Sequence, residues 1–225
     1  MKRLARSTRA TLRFVSVTED KRRAGPDARR RRTVVGVIGS GTSADPCCQE
    51  VGQLIASLGC DLLTGGGRGV MEAVSRAFFE TSPRAGLVIG VVPGKVGSLD
   101  ALERREPSAA RYRLHPGYPN PWVEIAIYTH LPHSGDQGTL RSSRNHINVL
   151  SSDAIVALPG QAGTASEMWL ATQYGVPIIA YGDHGGRTSS AIDVAESLDD
   201  VRAFLVRQLS LTSSPTRYKS APDRP

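Results

Sequence analysis

The apolar positions of this chain fall into short aliphatic runs, separated by glycine-rich turns and by amphipathic stretches. Residues 33–38, TVVGVI, are apolar almost without interruption, the pattern of a strand buried on both faces. Further strands are predicted at 61–64, 86–92, 124–128, 154–158 and 176–181. Helices are predicted between them. The first has Asp45 as N-cap and Pro46 at its first position, and runs to about Leu58, where Gly59 stops it. Others are expected over 70–80, 142–150, from the 159–164 loop to about Tyr174, and over 198–209. Alternating strands and helices predict a mainly parallel, doubly wound α/β sheet in a single domain, residues 33–211. Residues 94–121 show no clear element, and 129–140 read as a mobile loop.

Three glycine-rich loops follow the first, second and fifth predicted strands, so all three should open on the same carboxyl edge, where such sheets bind ligands. The first holds Gly39, Ser40 and Gly41; it is a plain strand-to-helix turn or part of a nucleotide site. A full dinucleotide fingerprint is missing because position 44 is Ala, and no P-loop lysine follows any of the three. The second holds Gly65, Gly66, Gly67 and Arg68; consecutive glycines suit close backbone approach by a ligand, and Arg68 is either a ligand contact or a surface residue. The third, ALPGQAGTASE at 157–167, reads as a strand end, a turn and a helix start. Unpaired N–H groups near Gly163, Thr164 and Ala165, with the Thr164 hydroxyl, are expected to hold one phosphate in the loop formed by Pro159, Gly160 and Gln161. The dipole alone contributes only ~0.3–1 kcal/mol for an anion, so hydrogen bonds to the charged group must supply most of the binding.

Two charged residues frame this loop. Glu167 fits a capping box with Thr164, or faces the sugar of a bound nucleotide. Arg144, on the helix before the fifth strand with Asn145, His146 and Asn148, is part of a solvated basic face or a ligand contact.

Charge changes the picture only once it is located. The net +7 comes from the ends: twelve of the 28 basic residues lie in the first 32 positions, and the body is mildly acidic. That argues against nucleic acid as the partner of the body, leaving only the basic N-terminal stretch for such contact. Composition predicts disorder over 1–32 and 212–225. The N-terminal stretch is a solvated extension, a transit-like segment or a nucleic-acid-touching arm; it has no secretory apolar core. No apolar run is long enough for a membrane span. Cys47, Cys48 and Cys60 lack C-x-x-C spacing and are expected to be reduced, structural thiols of a cytoplasmic protein. His130 and His133 have H-x-x-H spacing, but Pro132 opposes a helix and no third ligand is evident, so no metal is expected. No G-x-S-x-G elbow appears.

The segments GGGRGVMEA at 65–73, Arg144-Asn145 and PGQAGTASE at 159–167 together resemble the Lonely Guy family and its relatives, long labelled possible lysine decarboxylases. The resemblance spans about residues 33–182. It implies a Rossmann-like fold, a homodimer, and phosphoribohydrolase activity that splits cytokinin-type riboside 5′-monophosphates into free base and ribose 5-phosphate, with no cofactor required. It assigns the catalytic pair to Arg144 and Glu167, whose 23-residue interval agrees with the family pattern. Lysine decarboxylation has no support: no cofactor-lysine motif is evident, and Lys95 is the body's single lysine.

The chain departs from that pattern at Gln161, where the family has glycine, and its second glycine loop is one residue short. The segment NPWVEIAIYT at 120–129, followed by Arg144-Asn145, is closer to a neighbouring branch that includes molybdenum cofactor carriers, which hold a molybdopterin without transforming it. The ligand expected is therefore a small nucleotide or a pterin phosphate, with a nucleotide-sensing module as a third possibility.

Overall fold

The computed structural model describes residues 31–94, 114–186 and 188–209. The predicted extension up to Arg30, most of the 94–121 stretch with Lys95, and the predicted tail lie outside the described residues.

Seven parallel strands form one sheet: β1 (Val34–Ile38), β2 (Asp61–Thr64), β3 (Val88–Val92), β4 (Ile125–Tyr128), β5 (Ala154–Ala157), β6 (Ile178–Tyr181) and β7 (Asp193–Ala195), in the order β4-β3-β2-β1-β5-β6-β7. Among the described residues five helices flank it: α1 (Cys48–Ser57), α2 (Val70–Glu80), α3 (Asn145–Ser151), α4 (Ala162–Tyr174) and α5 (Leu198–Leu209). This is the Rossmann-like architecture the alternation and the resemblance predict.

The central strands β1 and β5 are buried at every position, which is why their sequences carry no polar alternation. Val35, Val37, Leu62, Val88 and Val156 pack on one side with Val51, Ile55, Val74 and Phe78 of α1 and α2 and with Val201, Phe204 and Leu205 of α5. Ile38, Ile155 and Ala157 pack on the other with Val149 of α3 and Met168, Leu170 and Ala171 of α4. Strand order runs outward from β1 to β4, then jumps back to β5 on β1's other side. The β1–β5 boundary is thus the topological switch point, where a crevice opens beyond the strand ends.

Local chemistry moved several boundaries. α1 begins at Cys48, because Asp45 builds a turn first: its Oδ1 accepts the Cys47 N–H at 2.9 Å and its carbonyl accepts the Cys48 N–H at 3.0 Å. α3 begins at Asn145, because Ser143 Oγ takes the Asn145 N–H at 3.1 Å and holds 142–144 in a turn. Strand β7 was not anticipated; three residues are too few to show a period. The loop expected over 129–140 contains a 3-10 turn, Gly135–Gln137, fastened to α4 where Gly135 O accepts from Ser166 Oγ at 3.2 Å. Arg31 and Arg32, counted with the basic extension, are tied to the domain by Asp153 at 2.6 Å and Asp61 at 3.0 Å.

Candidate functional site

The three glycine loops meet on the carboxyl edge. Ser40 joins them through its backbone: its N–H donates to Pro159 O at 3.0 Å, and its carbonyl accepts the Val70 N–H at 2.9 Å. Its hydroxyl is used locally, accepting the N–H groups of Thr42 and Ser43 at 3.2 Å each. Asn120, buried and distant in sequence, donates from its backbone to Gly66 O at 2.8 Å and from its side chain to Gly67 O at 2.9 Å.

Between the loops lies a cavity of about 130 Å³. Of the residues singled out from sequence, Gly39, Gly41, Gly65, Asn145 and Gly163 line it, together with Arg144 and Glu167. Met71 of the 65–73 motif and Val37 and Ile38 of β1 also line it, as do Tyr118, Ser134 and Gly135; these last three were not singled out from sequence, since their places depend on chain segments far apart. The other predicted residues do not line the cavity. Gly66 and Gly67 are held by Asn120, and Gly160 packs against the Thr164 hydroxyl. Arg68 is exposed and lies along Gly117. Gln161 is exposed at the N-cap of α4 and makes no side-chain capping bond.

α4 begins three residues before a Thr164 cap would allow. Its first backbone bond runs from Ala165 N–H to Gln161 O at 3.0 Å, so the N–H groups of Ala162, Gly163 and Thr164 have no acceptor within the helix. Glu167 is therefore the sixth helical residue, and the capping-box reading fails. Its carboxylate reaches sideways instead, where Oε1 accepts from Asn148 Nδ2 at 3.0 Å and lies 3.6 Å from Arg144 Nη1.

Arg144, the residue just before α3, is buried with its guanidinium across Gly65. A Cβ at position 65 would collide with that guanidinium, so glycine is required for the close approach. At 3.6 Å the Arg144–Glu167 contact is an ion pair and not a hydrogen bond. Burial pushes the Glu167 carboxyl above its ordinary 4.5, against the opposing pull of Arg144 and of the Asn148 hydrogen bond.

Six buried side-chain polar atoms among the described residues have no hydrogen-bond partner, and five belong to Arg144, Asn145, Asn148 and Thr164. Each such atom costs about 1–3 kcal/mol. They are concentrated between α3 and α4, in and beside one cavity.

Elsewhere the chemistry is quiet. Cys47, Cys48 and Cys60 are free; burial pushes the Cys47 and Cys60 thiols up to about 11, so both stay protonated near neutral pH. His133 Nδ1 pairs with Ser142 Oγ at 2.6 Å, and the described residues hold no cluster of three or more groups fit for a metal ion. Among them no helix is long and apolar enough to cross a membrane.

Comparison with known proteins agrees with this architecture. An uncharacterized protein of Archaeoglobus fulgidus is 31% identical over 144 residues, covering 63% of this chain and 74% of that one. The molybdenum cofactor binding protein of Rippkaea orientalis superposes with a TM-score of 0.55 at 29% identity, covering 80% of this chain and 96% of that one. The molybdenum cofactor carrier protein of Chlamydomonas reinhardtii does so with a TM-score of 0.56 at 27% identity, covering 80% and 99%. The sequence model of the SLOG cluster4 family matches residues 32–210, nearly the whole described fold. The chain belongs to the SLOG cluster4 family, within the LOG-like superfamily whose motifs its glycine loops carry.

Proposed function

We propose that this chain binds a small phosphorylated heterocycle at the β1–β5 switch point, and that it hydrolyses the N-glycosidic bond of a nucleoside 5′-monophosphate. The observation that carries the reading is the group of unpartnered buried atoms around Arg144 and Glu167. A merely structural ion pair would be closed by hydrogen bonds; this one leaves guanidinium donors free beside a cavity.

In this reading the free N–H groups at the start of α4 and the Gly39–Gly41 turn hold the phosphate. The bond from ribose C1′ to the base nitrogen breaks, water oxygen bonds to C1′, and the base nitrogen gains a proton. Glu167 Oε2, which makes no hydrogen bond to a described residue, stabilises the oxocarbenium-like sugar and accepts a proton from the attacking water. Burial raises the proton affinity of this carboxylate, which suits a base. Arg144 steadies the carboxylate from 3.6 Å and offers donors to the ligand. A homodimer and a cytoplasmic setting belong to the same proposal; the protonated free thiols support the latter, and scattering that gives a 24.1 kDa monomer counts against the former.

A second reading is favoured by the two solved relatives, which are molybdenum cofactor proteins at 27–29% identity. There the cargo is a pterin phosphate held without conversion, and Glu167 serves binding alone. One experiment separates the two: a nucleoside monophosphate panel assayed for ribose 5-phosphate, beside native mass spectrometry of the purified protein. The hydrolase reading expects turnover, with Glu167→Gln lowering it about 10²–10⁴-fold while binding persists. No turnover of any nucleotide and a co-purifying pterin would falsify it in favour of the carrier.

A further inference from the structure

Asn145 is 1% exposed and lines the cavity, and its side-chain orientation is fixed by its neighbour. Ser166 Oγ has one proton, committed to backbone carbonyls: Gly163 O at 2.7 Å and Gly135 O at 3.2 Å. Ser166 can therefore only accept from Asn145, and Nδ2 is the atom that faces it, at 3.3 Å. The space around that bond is closed: a Cβ at Gly138 would collide with both Ser166 Oγ and Asn145 Nδ2. The amide oxygen is left pointing elsewhere, buried and without a partner.

The residues lining the cavity thus carry an acceptor without a partner, Asn145 Oδ1, and a carboxylate, Glu167, beside the unpaired donors of Arg144. A phosphate, all acceptor, would be repelled by two of these three groups. A group that both donates and accepts satisfies all of them, and a sugar hydroxyl does so. The volume agrees, since about 130 Å³ equals roughly four waters at ~30 Å³ each, room for a pentose ring. It is well below the ~300–1,000 Å³ that encloses a whole drug-sized ligand. Val37, Ile38 and Met71 supply the apolar wall against which a ring face can lie.

Resting on the phosphorylated-ligand reading above, we infer that Asn145 Oδ1 accepts a hydrogen bond from the 2-hydroxyl of the ligand's ribose, and so restricts the site to ribo- over 2-deoxyribo-phosphates. The 2-hydroxyl is adjacent to the anomeric carbon on which Glu167 acts, and Asn145 is adjacent to Arg144 in the chain. A site that hydrogen-bonds a substrate hydroxyl rejects the analogue lacking it, because its own buried acceptor is left unpaired.

The test needs neither turnover nor knowledge of the base. The full chain is titrated calorimetrically with ribose 5-phosphate, 2-deoxyribose 5-phosphate and inorganic phosphate. The ribose compound is expected to bind about tenfold more tightly than the 2-deoxy compound. Asn145→Ala should abolish this preference by weakening the ribose compound alone. Ser166→Ala keeps Asn145 but frees its amide to turn, and should reduce the preference with the fold intact by thermal melt. Equal affinity of the two sugar phosphates for the wild-type chain overturns the hydroxyl assignment and leaves the phosphorylated-ligand reading standing, and this arm holds even if a variant fails to fold. Parallel loss of both compounds in Asn145→Ala also overturns the assignment. Binding of neither sugar phosphate by the wild-type chain overturns the hydroxyl assignment and counts against the hydrolase reading, whose product is ribose 5-phosphate.

Discussion

The core around Phe78 and the cluster around Glu167 are both buried, yet they are built on opposite terms. Phe78 is fully enclosed by aliphatic side chains of α1, α2 and the sheet, and gains from being out of water. Arg144, Asn145, Asn148 and Glu167 are almost as enclosed, but there burial costs free energy, because charges are dehydrated and several polar atoms stay unpaired. A fold maintains such a cluster only if the rest of the molecule is stable enough to carry it. The contrast locates function where burial is unfavourable.

Breaking the apolar region gives the largest effect. Phe78→Ala should lower stability by about 3–5 kcal/mol in denaturant melts; a loss under about 1 kcal/mol would show that this core is not the support of the fold. Next, Arg144→Ala removes the positive charge that, among the described residues, opposes a buried carboxylate, and should cost about 3–5 kcal/mol if the carboxylate stays enclosed. Replacing both partners, Arg144→Met with Glu167→Leu, should instead leave stability unchanged or raise it by about 1–4 kcal/mol, while binding of the phosphorylated ligand is lost. If the double variant is as unstable as Arg144→Ala, the pair is structural and the contrast collapses.

The pH dependence sharpens the comparison further. The folded-state pKa of Glu167 lies above its ordinary 4.5, so the folded chain holds this proton more tightly than the unfolded one. Its contribution to stability is therefore fullest below pH 4.5 and declines as pH rises toward the raised value. Glu167→Gln has no such proton, so the stability of the variant relative to wild type should increase across that window. Parallel melting curves over the same pH range would assign Glu167 an ordinary environment. The smallest effect belongs to the surface: Glu80→Ala breaks an exposed pair with Arg76 at 2.9 Å and should cost about 0.3–0.5 kcal/mol, reduced further by salt.

The glycine loops were legible because glycine punctuation and β-branched runs report local backbone needs. Arg144 and Glu167 were legible through their interval and motif, although spacing alone left a capping box open for Glu167. What reading along the chain missed came from far away in sequence. Asn120 holds a loop 53 residues upstream, and Asn148 reaches its carboxylate partner across 19 residues. Tyr118, Ser134 and Gly135 enter the cavity wall from segments with no period of their own.

The sequence by itself determined the order of the first six strands and of the helices, and the edge on which the loops open, because each rests on short-range periodicity or turn chemistry; the charged pair was legible only through the family motif that carries it. Tertiary structure alone decided that Glu167 leaves its own helix start for Arg144, that Gly65 makes room for the guanidinium, and that Ser166 takes the Asn145 amide nitrogen and leaves its oxygen without a partner. Burial and the set of available partners depend on atoms from several distant segments at once, and a linear pattern does not carry that information.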